Sequence, residues 1–178
     1  ARDFSFTYPG ADTAALQQIT FALQPGQISL LLGPSGSGKT TLLRQLKPVI
    51  APRGEKQGLL LYREKEMDTL SSLEVVSQIG FVFQQPEAQM VMETVYEELA
   101  FGLENLALPA AEIHEMIADT VNFCGIAHLL NEKTANLSGG QKQLVNLCAV
   151  LCLRPQVLLL DEPFSQLDPE SVLRMLQL

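Results

Sequence analysis

Gly33-Pro34-Ser35-Gly36-Ser37-Gly38-Lys39-Thr40 decides how this chain is read. The apolar run Ile28 to Leu32 leads into it and reads as a strand; from Lys39 to Leu46 the apolar spacing is helical. The stretch fits G-x-x-x-x-G-K-[ST], placed between a strand and a helix as a phosphate-binding loop requires. Its glycines let the backbone curl so that successive N–H groups point inward at phosphate oxygens, and the helix start adds partial positive charge. Lys39 would reach the β- and γ-phosphates and the Thr40 hydroxyl would bind Mg²⁺, with Thr41 beside them in the first helical turn. The plainer alternative is a Gly/Ser surface turn that happens to precede a lysine, and the flanking strand and helix argue against it.

A second stretch completes that chemistry. Val157-Leu158-Leu159-Leu160 is a continuous apolar run of the kind buried on both faces of a parallel sheet, and Asp161-Glu162 leave its C-terminal end. Asp161 would hold Mg²⁺ through water, and Glu162 would orient and deprotonate the attacking water. Alone, a run of this kind is equally a strand that ends in a solvated turn. Together with the phosphate loop it describes a site for ATP with Mg²⁺.

Between these stretches the patterning changes character. Phe4, Phe6 and Tyr8 alternate with polar residues as a half-exposed strand does, and Pro9-Gly10 ends it. Leu59 to Tyr62 and Ile79 to Phe83 read as further strands. From Glu93 to Leu153 the reading is helical almost throughout, with Gly102, Pro109 and Gly125 as breaks. Strands early and late with helices between them imply an α/β fold whose core, 1–84 and 154–178, carries an all-helical insertion, 85–153, within a single domain.

Composition narrows the partners. The 178 residues carry a formal net charge of −8 with no Lys/Arg run, which argues against a nucleic-acid surface. No apolar stretch approaches the ~20 residues that cross a bilayer as a helix. Cys124, Cys148 and Cys152 offer neither a disulfide framework nor C-x-x-C spacing, which fits a reducing cytosol, and Cys148 and Cys152 read as core filler on a helix. His114 and His128 read as ordinary surface or core histidines. The start at Ala1, without an initiator Met or a leader, reads as the interior of a longer gene product.

Leu137-Ser138-Gly139-Gly140-Gln141 lies between the phosphate loop and Asp161-Glu162, and it resembles the signature of ATP-binding cassette (ABC) ATPases in sequence and in order along the chain. Physically, Ser138 caps a helix whose first N–H groups, opened by two glycines, form a second anion site. The resemblance implies a P-loop NTPase (RecA-like) core with an N-terminal antiparallel β portion and a helical insertion that bears the signature. It also implies a dimer in which this signature faces ATP bound to a second cassette, identical or different, separate or fused in one chain. Tyr8 resembles the aromatic that stacks on adenine, so the implied ATP contacts are Tyr8 and Gly33, Pro34, Ser35, Gly36, Ser37, Gly38, Lys39, Thr40 and Thr41. Gln84 resembles the glutamine that senses the γ-phosphate and Mg²⁺, which makes Thr40, Gln84 and Asp161 the implied Mg²⁺ set and Glu162, Gln84 and Lys39 the implied catalytic set. Ser165-Gln166-Leu167-Asp168 resembles the D-loop at the dimer interface, although Asp168 before Pro169 is also an excellent N-cap.

Within the family, Gln84-Gln85-Pro86-Glu87-Ala88-Gln89 followed by Val95 to Asn105 is similar to the energy-coupling factor (ECF) type of importer ATPase. That likeness implies import of a vitamin or transition-metal ion in a prokaryote. It places the chain at the cytoplasmic face of the membrane, beneath a transmembrane coupling subunit and a substrate-binding membrane subunit, with no nucleic acid involved. Glu87, Glu93, Glu97 and Glu98 would then form a negative groove for basic helices of the coupling subunit; a solvated acidic helix face is the plainer reading. Two positions depart from the family pattern: Leu144 where a basic residue is usual, and Asn146 where a small apolar residue is common. No histidine follows the D-loop before Leu178, so the family's histidine switch is missing from this stretch. That leaves two other readings open beside the transport ATPase: a regulatory cassette that binds ATP without turnover, and a soluble ABC protein outside transport.

Overall fold

Alternation along Arg2–Thr7 (β1) places Phe4 and Phe6 on one side of the strand, and in the computed structural model of the chain both are buried. The structure describes residues 1–165, 167 and 172. The chain divides into two compact units, residues 1–75 and 76–178, with the boundary inside a short helix, Ser72–Gln78 (α2).

In the first unit β1 is the middle of an antiparallel three-stranded sheet, between Leu16–Ile19 (β2) and Glu55–Leu59 (β3). Phe4 pairs with Ile19 and Phe6 with Leu16, so the buried side of β1 meets apolar partners. The Pro9-Gly10 turn closes with the Ala11 N–H donating to the Tyr8 carbonyl, and Gly10 takes a left-handed φ of 74°. Helix α1, Lys39–Gln45, follows, and its buried Gln45 donates from Nε2 to the Pro52 carbonyl. Leu61–Tyr62 (β4) and Lys65–Glu66 (β5) form a small hairpin, set off from β3 at Leu60.

Ile28 to Leu32 corrects the sequence reading, because the run forms no strand: Ile28 is fully exposed and Leu30 is 80% exposed. An apolar run reads as a buried strand only if neighbouring strands accept it, and the antiparallel sheet of this unit is built without it.

In the second unit, Ile79–Val82 (β6) and Val157–Leu160 (β7) pair in parallel, in register from Ile79 opposite Val157 to Val82 opposite Leu160. β6 is buried throughout, but in β7 only Leu159 is buried and Leu158 is exposed. This corrects the expectation of burial on both faces: among the described residues, little packs over the side of β7 that carries Leu158, and the strand is covered at Leu159 alone.

Among the described residues that unit also holds the α-helices Val95–Asn105 (α3), Ala110–Cys124 (α4) and Gly139–Cys152 (α5). Their core is apolar, with Val95, Leu99, Leu103, Ile117, Val145 and Cys148 among its most buried residues. Gly125 ends α4 with a left-handed φ of 69°, as its position predicts. Gly102 does not break α3. It lies inside the helix with Leu153 packed against its bare Cα, which trades propensity for close approach. All three cysteines are buried in this core, in line with the reading of Cys148 and Cys152 as filler. Hydrogen bonding with Cys124 and burial push the Cys148 thiol well above the usual range, and burial pushes Cys152 up as well.

Candidate functional site

The phosphate loop is exposed from Gly33 to Ser37 and is shaped by a turn in which the Ser37 N–H donates to the Pro34 carbonyl. Gly36 and Gly38 both take left-handed φ, 79° and 91°, which side chains disfavour. Gly38 is the N-cap of α1 and brings no side chain to its first turn, so the helix start faces the loop unblocked. Lys39 Nζ donates to the carbonyls of Gly33 at 2.9 Å and Pro34 at 3.0 Å. The ammonium thus sits inside the curl of the loop, where a phosphate would meet it. The Tyr8 and Thr41 hydroxyls share a 2.8 Å hydrogen bond, and Phe6 holds the Tyr8 ring edge-on at 4.9 Å. Tyr8 is thereby held beside the first turn of α1 and stays 40% exposed.

In the second unit, the parallel register makes β6 and β7 end together. The Asp161 N–H donates to the Val82 carbonyl at 3.0 Å and adds one rung to the ladder. Asp161 is buried, while Glu162 is exposed and takes a φ of 46°, a backbone conformation sparsely used by residues with side chains. Gln84 leaves β6 at the same edge, and its Nε2 donates to Glu162 Oε2 at 2.8 Å. Residues remote in sequence therefore meet at the C-terminal ends of two parallel strands.

Ser138 is the N-cap of α5: its hydroxyl accepts from the Gln141 N–H, and the Gln141 side-chain oxygen accepts from the Ser138 N–H at 2.9 Å. Leu137 is buried before the cap, and Gly139 is exposed. Asp168 lies outside the described residues.

The four acids of the ECF-like stretch do not present an open negative groove. Glu98 is buried and accepts from the N–H groups of Val91 at 2.9 Å and Met92 at 2.8 Å. Glu97 closes a capping box with Thr94 at the start of α3. Glu87 pairs with Lys142 and Glu93 with Lys133. The bond to its own backbone N–H, then Lys142, holds the Glu87 carboxyl below the usual range, and the hydrogen bond from Lys133 does the same for Glu93. Charge counting along the chain treats these acids alike, whereas local hydrogen bonds commit each to a different task. Glu98→Ala takes the carboxylate partner from the part-buried N–H groups of Val91 and Met92 and is expected to cost roughly 1–2 kcal/mol in denaturant unfolding, with Glu98→Gln losing less.

Sequence reasoning also passed over the side chains that hold the Gln84 loop. Gln89 Oε1 accepts from the Phe83 N–H, Gln143 Nε2 donates to the Phe83 carbonyl at 3.2 Å, and Asn146 Nδ2 donates to the Pro86 carbonyl at 2.9 Å. The one available signal was Asn146 itself, a polar residue amid the apolar spacing of α5.

The chemistry of the candidate donors suits Mg²⁺ in company with a nucleotide, since Thr40 offers a hydroxyl, Gln84 an amide oxygen and Asp161 a carboxylate, all hard oxygen ligands. Among the described residues no group of three His, Cys, Asp or Glu side chains forms an all-protein metal cage, and Mg²⁺ characteristically binds through one or two protein oxygens plus phosphates. His114 is engaged with Tyr96 and the Ala110 carbonyl, and His128 is exposed.

The ABC transporter family profile matches residues 16–165. The chain is 48% identical over 167 residues to a putative ABC transporter ATP-binding protein of Bacillus cereus, covering 94% of this chain and 30% of that protein. It is 37% identical over 174 residues to the energy-coupling factor transporter ATP-binding protein EcfA1 of Lactobacillus delbrueckii subsp. bulgaricus, covering 98% of this chain and 62% of that one. Among solved structures, cbiO1 from Clostridium perfringens, described as part of the ABC transporter complex cbiONQ, superposes with a TM-score of 0.83 at 32% identity, over 99% of this chain and 69% of that one. The dimeric ATP-binding cassette MJ0796 bound to ADP and Pi gives a TM-score of 0.80 at 26% identity, over 99% of this chain and 78% of that one. This chain spans about a third of the length of the B. cereus relative, which it covers to 30%. The fold is that of a P-loop NTPase, mixed α/β with a helical part bearing the signature, and the chain belongs to the ABC transporter ATP-binding family.

Proposed function

We propose that the chain is an ATP-binding and hydrolysing domain that drives a membrane transporter, of the importer kind to which ECF ATPases belong. The observation that carries this reading is the 2.8 Å bond between Gln84 and Glu162 at the paired ends of β6 and β7. It sets a carboxylate, able to accept a proton from water, beside an amide able to orient that water. In this reading Gly33 to Thr41 cradle the phosphates, Lys39 exchanges its loop carbonyls for phosphate oxygens, and Tyr8 offers its ring to adenine. Thr40, Gln84 and Asp161 hold Mg²⁺, which when bound supplies charge neutralisation at the β- and γ-phosphates. Glu162 takes the proton of the attacking water at its carboxylate.

Leu137 to Gln141 serve the nucleotide of a second cassette, and Asp168 serves the dimer interface. The likeness to a dimeric cassette and to a part of the cbiONQ transporter complex supports a paired assembly with membrane subunits. No helix among the described residues is long and apolar enough to cross a membrane, so the spanning subunits are other chains or other parts of the protein. The domain would divide functionally into 1–84 with 154–178, which bind nucleotide, and 85–153, which relays its state, at the cytoplasmic face of the membrane.

Affinity purification of the full-length protein tests the partner class. The expected result is recovery from detergent-extracted membranes together with a polytopic membrane protein; recovery with ribosomes or in a partner-free soluble pool would contradict it.

A further inference from the structure

We infer that Asn146 is a positioning residue for ATP hydrolysis: with Gln143 it clamps the loop that carries Gln84, so that α5 decides whether Gln84 faces Glu162. The inference rests on the proposed roles of Gln84 and Glu162. Asn146 is fully buried and Gln143 nearly so, one helical turn apart on α5. Gln143 Nε2 takes the Phe83 carbonyl, immediately before Gln84, and Asn146 Nδ2 takes the Pro86 carbonyl, two residues after it. Lys142 reaches Glu87 from the same helix at 3.2 Å. The exposed Gln84-Gln85 segment is thus pinned on both sides by donors from α5, and its side chain reaches Glu162.

Stability alone does not account for these amides. The Pro86 carbonyl already accepts from the N–H groups of Gln89 and Met90. The Asn146 and Gln143 side-chain oxygens find no hydrogen-bond partner among the described residues. A buried amide with an unpartnered oxygen is a worse core residue than an apolar one of the same size. What it adds is direction, because only a donor can hold a carbonyl at a fixed place. The sequence marks the same position as unusual, since a small apolar residue is common there. Because α5 begins at Ser138 and Gln141, the clamp also joins the signature segment to the Gln84 loop through one rigid helix.

The test is steady-state ATP hydrolysis by the full-length protein in its native assembly, comparing wild type, Asn146→Leu and Asn146→Ala. Leu keeps the volume and removes the donor; Ala removes both. Both variants are expected to lower kcat roughly five- to tenfold, the range of one lost hydrogen bond, with KM for ATP unchanged. Asn146→Leu should do so with a melting temperature equal to or above wild type, a combination that a merely structural residue does not give. In a Gln84→Ala background each substitution should change kcat by less than about twofold, since it acts through Gln84. The inference is overturned if Asn146→Leu retains wild-type kcat, or if it slows hydrolysis as much with Gln84 absent. Full kcat in Gln84→Ala alone would remove the proposed role of Gln84, and with it this inference.

Discussion

Glu162→Gln is expected to leave ATP binding intact and to lower kcat by a factor on the order of 10²–10⁴, the usual contribution of a general base. The substitution removes the proton acceptor while preserving size, and Gln can still accept from Gln84 Nε2 through its own side-chain oxygen. The turn that follows, with the Ser165 N–H on the Glu162 carbonyl, is a backbone feature and is unaffected. Glutamine has no easier access than glutamate to the 46° φ at this position, so any strain there is common to both proteins. Loss of turnover with retained equilibrium binding of nucleotide, measured by titration and phosphate release on the same sample, is therefore assignable to chemistry. Unchanged turnover would move the base elsewhere.

Lys39→Ala acts one step earlier. The ammonium is the single cation among Gly33 to Thr40, and two carbonyls hold it within the exposed loop. Its loss removes a charge-assisted partner for phosphate oxygens and an internal brace of the loop, so ATP affinity should fall roughly 10- to 100-fold. Lys39→Arg is not a rescue, because a planar fork does not fit a site made for a compact ammonium. Since Lys39 is only half-buried and heads a short helix, thermal unfolding without nucleotide should change little. Wild-type affinity in Lys39→Ala would place the phosphates elsewhere.

Much of this site was legible because local chemistry fixes it. Val157 to Leu160 is the strand that its apolar run announces, and Ser138 is the cap that its Ser-Gly-Gly start announces. The failures share a cause: the information lay in partners far along the chain. Ile28 to Leu32 is apolar enough for a buried strand, yet whether it pairs depends on neighbours its own residues do not specify. Gly102 reads as a break until Leu153 is seen against it. Glu97 and Glu98 are adjacent and chemically alike, but one caps α3 in solvent and the other is buried under two backbone N–H groups. Gln143 and Asn146 reach carbonyls on another element, and no periodicity in α5 reveals what an amide will meet there.

The most direct test of the central claim is phosphate release from ATP by the full-length wild-type protein, followed against protein concentration with and without Mg²⁺. Turnover is expected to depend on Mg²⁺, with a specific activity that rises with concentration as two cassettes close on shared nucleotides. ATP binding without phosphate release at any concentration would contradict it and leave a nucleotide-sensing cassette in place of a motor.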